Sequence, residues 1–223
     1  MPNETEKTVL DAQKKHWEGM LGSKPDMFGT DFSAPAKAAV MEFRRVGAHR
    51  VLELGGGQGR DTAWFAVLGF EVHVLDYAKA GIDAILRRAA DLDREASSRI
   101  AATQHDVRQP LPFPDASFDV CYSHMLFCMA FTTAELGALS REIFRILRPG
   151  GLCIYTVRNT SDPDFGRGVP RGEGLYENQG FIVHFFDRAK VQQLARDWEL
   201  LAIDEFEEAK LPRRLFRVTL RKP

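Results

Sequence analysis

Cysteine is scarce in this chain: only Cys121, Cys128 and Cys153 occur in 223 residues, and no two of them form a CxxC pair. Two of the three sit inside apolar strand-like runs, where a small buried hydrophobe accounts for them. His16, His49, His73 and His105 are scattered, with no H-E-x-x-H and no Cys/His ligand spacing, so no metal site is expected. An excess of either charge is also lacking. Thirty basic and 31 acidic residues leave a formal net charge of -1, which supplies no positive field to draw the chain onto nucleic acid or an anionic membrane. No apolar run reaches the roughly 18 residues that span a bilayer, and the polar opening MPNETEKTVL lacks the apolar core of a secretory signal. Repeats, heptads, low-complexity tracts and a dividing linker are absent. With 44% hydrophobic residues, the expectation is one well-filled cytoplasmic domain acting on a small-molecule partner, with oligomeric state left open.

What the chain does contain is an alternation of short apolar runs with helical-period segments, the pattern of a mostly parallel sheet covered by helices on both faces. Arg50–Leu54 reads as strand one and Asp61–Leu68 as a helix ended by Gly69. Phe70–Leu75, Ile100–His105 and Phe118–Ser123 follow as strands two to four, with Ile82, Ile85, Leu86 and Ala89 marking the helix after strand two. Thr132 and Glu135 have capping-box spacing, and Leu136, Leu139, Ile143 and Leu147 form the buried stripe of the helix they start. Arg148-Pro149-Gly150-Gly151 stops that helix ahead of strand five, Leu152–Val157. Asn159–Gln179 is rich in glycine, proline and charge without periodicity, which predicts a long surface loop serving as a substrate-side lid. Beyond Phe181–Phe186, Asp187 caps a helix, and Leu201–Phe206 and Leu215–Leu220 supply the last two of seven strands. Ahead of the core, Ser33 and Pro35 start a helix preceded by the stretch His16–Phe32. The chain thus divides into an N-terminal helical cover (1–46), a ligand-binding core (47–157), a substrate-side loop (158–186) and a C-terminal helix with strands (187–223).

The stretch Val51-Leu52-Glu53-Leu54-Gly55-Gly56-Gly57-Gln58-Gly59 runs a strand into a glycine-rich turn just before a helix. Missing β-carbons let a ligand approach the backbone there, at the carboxyl end of the first strand, where open α/β sheets bind nucleotides. The nicotinamide fingerprint G-x-G-x-x-G fails, because Arg60 or Thr62 occupies its last place. The stretch resembles motif I of the class I S-adenosylmethionine-dependent methyltransferases, E/D-x-G-x-G-x-G, through Glu53, Gly55, Gly57 and Gly59. Asp76 after strand two, Asp106 after strand three, Phe118-Asp119-Val120 and Leu147–Gly151 (L-[RK]-P-G-G) continue the resemblance in order. It implies a Rossmann-like seven-stranded sheet in the order 3-2-1-4-5-7-6 with strand seven antiparallel, and S-adenosyl-L-methionine as cofactor.

Asp76 lies about 20 residues beyond the glycine turn, where a carboxylate can accept both ribose hydroxyls; otherwise it is a solvated strand-end acid. The resemblance implies that Tyr77 lies along the adenine, that Asp106 and Val107 accept its amino group, and that Glu53 faces the cationic methionine end. Ser123 and His124 follow strand four, where this family contacts the methionine moiety. His124 is then either the base that takes the acceptor's proton or a hydrogen-bond partner of the cofactor carboxylate. Ser123-His124-Met125-Leu126 departs from the [DN]-P-P-[YF] of methyltransferases acting on nucleobase or amide nitrogen, which argues against those acceptors. Arg158, Tyr176 and His184, with Arg167 and Arg171, fall on the ligand-bearing edge and suit an anionic acceptor, or else form a solvated basic loop. Trp17, Met27 and Phe28 either close over the sulfonium or belong to the core.

Within the family the chain is similar to small-molecule methyltransferases, including the tellurite-resistance and thiopurine types, which suggests a thiol, a chalcogen species or an anionic metabolite oxygen as acceptor. Cys121 and Cys153, on buried strands, do not suit the cysteine sets that hold arsenite. The rival readings are a nicotinamide-dependent oxidoreductase on a Rossmann fold, disfavoured by the missing third glycine, and a non-catalytic protein that binds S-adenosylmethionine.

Overall fold

A computed structural model describes residues 4–208 and 212–223. Two helices, α1 (Glu4–Ser23) and α2 (Ala34–Arg45), precede the sheet. The core then runs β1 (Arg50–Leu54), α3 (Arg60–Val67), β2 (Glu71–Asp76), α4 (Lys79–Ala90), α5 (Arg94–Ser98), β3 (Ile100–Gln104), β4 (Phe118–His124), α6 (Thr133–Ile146) and β5 (Leu147–Arg158). Three short strands follow, β6 (Val169–Pro170), β7 (Leu175–Asn178) and β8 (Phe181–His184), and then α7 (Arg188–Leu194), β9 (Glu199–Glu208) and β10 (Arg213–Arg221). The main sheet has the order β3-β2-β1-β4-β5-β10-β9. Counting only its own members, that is 3-2-1-4-5-7-6. The last one, β10, pairs antiparallel with both β5 and β9, as the resemblance implies.

The inner parallel strands are buried on both faces, which is why their sequences read as continuous apolar runs, whereas the edge strand β3 is only partly buried. Val51, Tyr122 and Ile154 join Phe43 of α2 and Phe65 of α3 on one face. Leu52, Cys121 and Cys153, one residue along, join Leu136, Leu139 and Ile143 of α6 on the other. Helix starts follow local chemistry. The Ser33 hydroxyl accepts the Ala36 N–H at 3.1 Å, and the Thr132–Glu135 capping box closes reciprocally. No helix among the described residues is long and apolar enough to cross a membrane.

Two expectations are corrected. The Arg-Pro-Gly-Gly stretch does not separate helix from strand: β5 begins at Leu147, because Gly150 N–H donates to Lys222 O and Lys222 N–H donates to Gly151 O, both at 2.9 Å. Nor is 159–179 without secondary structure. It contains β6 and β7, which pair with β8 as a small antiparallel sheet (Leu175↔His184, Tyr176↔Val183). Strands of two and four residues are too short for a period of two to stand out among four glycines. What orders the stretch is polar: buried Asp162 takes the Arg158 guanidinium and the Arg214 N–H, and Arg171 pairs with Glu177. The N-terminal cover holds two helices, α1 and α2, and a short helix, α5, stands between α4 and β3.

Candidate active site

The carboxyl ends of β1, β2, β4 and β5 open onto a cavity of about 500 Å³, roofed by α1 and the small sheet. Its floor is the turn after β1. A β-carbon on Gly56 would stand 2.3 Å from Val74 Cγ2, so only glycine fits between turn and sheet. Asp76 fixes this turn to the end of β2, accepting the Gly57 N–H and the Ala78 N–H at 2.9 Å each. Its carboxyl still lines the cavity. Burial raises it to about 6, while those backbone hydrogen bonds pull it down. Glu53 is 3% exposed and accepts the Thr62 hydroxyl at 2.5 Å. Burial pushes it up to about 8, the charge of Asp61 adds to the rise and the Thr62 hydrogen bond opposes it.

Two buried acids on one wall, neither within ion-pair distance of a lysine or arginine among the described residues, suit a ligand that brings its own positive charge. The donor set therefore fits a cofactor with an ammonium, a sulfonium and a ribose. Tyr77 and Val107 border the same end of the cavity. Gly55, Gly57, His124, Arg158 and Tyr176 line it too, so nine of the residues singled out from sequence meet in one space.

Four others do not line it. Gly59, at φ 81, begins α3, and a β-carbon there would lie 2.9 Å from Ile85 Cγ1, so its glycine serves helix packing. Asp106 is spanned by Arg108, which donates to both of its oxygens (3.0 and 2.7 Å) and also pairs with Asp11. The Ser123 hydroxyl is buried and donates to Leu54 O at 3.1 Å. His184 is fully buried, with Nδ1 on Phe131 O at 2.8 Å and Nε2 against Lys190 Nζ at 2.5 Å. Burial first and the Lys190 charge second hold it down to about 4. Arg171 is likewise taken by Glu177.

The cover is built from aromatic and amide contacts. Trp17 packs edge-on against Phe181 at 5.3 Å and lies 6.4 Å from Phe28. Gln13 clips α1 to the β7–β8 turn, its amide donating to Gly180 O (2.9 Å) and accepting the Ile182 N–H (3.2 Å). Trp17, Met27 and Phe28 all line the cavity.

At the other end lie groups the sequence reading missed. Glu208, at the end of β9, stands 3.7 Å from His124 Nε2 and 3.4 Å from Arg213. His124 first, then Arg213 and Arg60, hold its carboxyl down to about 2 against its burial. No local motif marks Glu208 or Arg213. The implied sheet order does carry a signal, since pairing the last strand antiparallel to strand five brings the turn before it to the ligand-bearing edge. Arg158 lines this end but is locked by Asp162 and Asp164. Arg167 also lines it, and has no carboxylate partner among the described residues.

Residues 51–151 match the methyltransferase domain family. Malonyl-[acyl-carrier protein] O-methyltransferase of Halorhodospira halophila is 31% identical over 153 residues, covering 68% of this chain and 45% of that protein. The ubiquinone/menaquinone biosynthesis C-methyltransferase of Vibrio vulnificus is 38% identical over 120 residues, covering 52% and 43%. The chain thus matches less than half the length of these curated relatives. Among solved structures, the 1,6-didemethyltoxoflavin-N1-methyltransferase of Burkholderia thailandensis superposes with a TM-score of 0.74 at 21% identity, covering 100% of this chain and 92% of that one; at that identity the likeness speaks for the fold alone. Glycine turn, strand-end acids, sheet order and domain match agree: residues 51–151 of the chain are a methyltransferase domain of the class I S-adenosylmethionine-dependent type.

Proposed function

We propose that the protein transfers a methyl group from S-adenosylmethionine to a small-molecule acceptor. The observation that carries this reading is one cavity that holds both a glycine turn with two buried acids lacking an ion-pair partner among the described residues and, at its other end, a polar cluster of His124, Glu208 and Arg213. When bound, the cofactor supplies an electrophilic methyl on a sulfonium. In-line displacement at such a carbon needs little covalent help, so the chain contributes by alignment and by excluding water. Asp76 holds the ribose end, Glu53 faces the cation, and Tyr77 and Val107 border the adenine. Trp17, Phe28 and Phe181 form the aromatic part of its cover. Of the acceptor classes suggested by the family, an anionic metabolite oxygen fits this lining better than a thiol or chalcogen. Arg167 has no carboxylate partner among the described residues, and none of the three cysteines is on the cavity lining: Cys121 and Cys153 are buried in β4 and β5, and Cys128 is buried in the turn after β4.

Calorimetric titration with S-adenosylmethionine, S-adenosylhomocysteine and NAD(H) tests the reading. Micromolar binding of the first two alone is expected. Binding of NAD(H) alone would overturn it, and tight cofactor binding with no turnover across acceptor panels would point to a protein that binds without catalysing.

A further inference from the structure

The His124 imidazole is held at both nitrogens, and the partners decide where its proton sits. Thr156 is fully buried on β5. Its hydroxyl oxygen already accepts the Met125 N–H at 3.0 Å, and the one acceptor offered to its own proton among the described residues is His124 Nδ1, 2.7 Å away. The Thr156 hydroxyl therefore donates to Nδ1. In the neutral ring, Nε2 then carries the hydrogen and aims it at Glu208 Oε1, 3.7 Å off, an ion-pair rather than a hydrogen-bond distance. The turn that makes this possible is strained: Met125 has φ 66, in the left-handed region, and is held there by Thr156 through both carbonyl and hydroxyl.

A ring with its Nδ1 lone pair engaged and a hydrogen on Nε2 has nothing left with which to take a proton. We propose that His124 is a positioning residue, a fixed N–H donor, and that Glu208 is the carboxylate that meets the acceptor's reacting X–H group, an O–H or N–H. This rests on the methyl-transfer reading and deepens it. Glu208 has two oxygens, one toward His124 and one toward Arg213, and each keeps a lone pair for the acceptor. Such a contact turns the lone pair of X toward the methyl carbon. As the C–X bond forms and the C–S bond breaks, with its electron pair left on sulfur, X gains positive charge. The proton on X then passes to Glu208 and on to solvent, so a weakly basic carboxylate suffices. A nucleophile already ionised, such as a thiolate, would instead be repelled by Glu208.

Two measurements test this. Nitrogen-15 NMR of the histidine rings in the cofactor-free protein is expected to place the neutral His124 proton on Nε2; a proton on Nδ1 would overturn the assignment whatever the cofactor proves to be. With S-adenosylhomocysteine bound, catechol serves as an O–H probe and 1,2-dimethoxybenzene as its control lacking O–H. Wild type should prefer catechol, and Glu208→Gln should weaken catechol binding about tenfold or more, the scale of hydrogen bonds to a charged group. The control and S-adenosylhomocysteine itself should change by less than about twofold. His124→Gln, which keeps an N–H donor, should retain the preference for catechol. Absence of that preference in wild type, or its survival in Glu208→Gln, would overturn the role of Glu208. Failure of S-adenosylhomocysteine to bind would instead count against the methyl-transfer reading, and the tautomer result would stand apart from it.

Discussion

Asp76 has two tasks at once. Its oxygens take backbone N–H groups from both sides of the cofactor crevice, and their remaining lone pairs face the space where a ribose would lie. Asp76→Ala should therefore weaken S-adenosylmethionine binding by about tenfold or more and also lower stability by about 1–3 kcal/mol, because two partly buried N–H groups lose their partner. Calorimetry and a denaturant melt read the two effects separately; unchanged affinity would remove Asp76 from the site. Glu53 gives a prediction whose sign depends on pH. Unfolded, its carboxyl titrates near 4.5, and in the fold near 8, so the folded state holds the extra proton between those values. The stabilising contribution is complete below about pH 4.5, is lost as pH rises toward 8, and is gone above it. Glu53→Gln, which cannot ionise, should melt above wild type at pH 9, with the difference vanishing near pH 4.5. A cationic ligand should pull the Glu53 titration down, so that binding at pH 7 expels a proton. Calorimetric heats that depend on the buffer's ionisation enthalpy would report it, and buffer-independent heats would mean that Glu53 does not face the charge.

At the scale of elements, the cover over the cavity depends on Gln13. Gln13→Ala removes both hydrogen bonds between α1 and the β7–β8 turn. It should raise the hydrogen-exchange rate at Ile182 by about fivefold or more while leaving β1 and β4 protected, as expected for a local opening. Equal loss of protection across the sheet would show that α1 is instead part of the core. Sequence revealed β1, β2, β4 and the later part of β5 well because each is an apolar run buried on both faces, and α6 because its capping box and its apolar stripe mark the same helix. It did not reveal the small sheet, whose strands are held by pairing and by Arg158 and Asp162 across a loop rather than by a hydrophobic period. The same limit applies to single residues. Glu53, Asp76 and His124 could be chosen because they end strands, whereas the Arg108 clamp on Asp106 and the burial of His184 arise only from packing. Glu208 is an ordinary acid in a charged strand until β10 brings it beside His124.

In the proposed reading the main sheet of the molecule serves both ends of one cavity, the cofactor end built by β1 to β4 and the other completed by β9 and β10. A ligand that binds only the folded state stabilises it by mass action. S-adenosylhomocysteine at about 100 times its Kd should add about 2.7 kcal/mol, which for a chain of this size raises the melting temperature by about 5–10 °C. NAD(H) at the same concentration should leave it unchanged. Scanning fluorimetry reads both, and no shift with S-adenosylhomocysteine would count against the site as assigned.

The position of β10 between β5 and β9 bears on how the proposed activity could be lost. The β9–β10 pair is local in sequence, and its strand pairing with the rest of the main sheet runs through β10 along β5. Partial detachment of that pair would carry Glu208 and Arg213 out of the cavity and leave the glycine turn, Asp76 and Glu53 where they are. The protein would then still capture its cofactor while having lost the means to receive an acceptor. A population in that state would look fully folded by cofactor binding and inert by turnover, so loss of activity on warming should precede loss of binding.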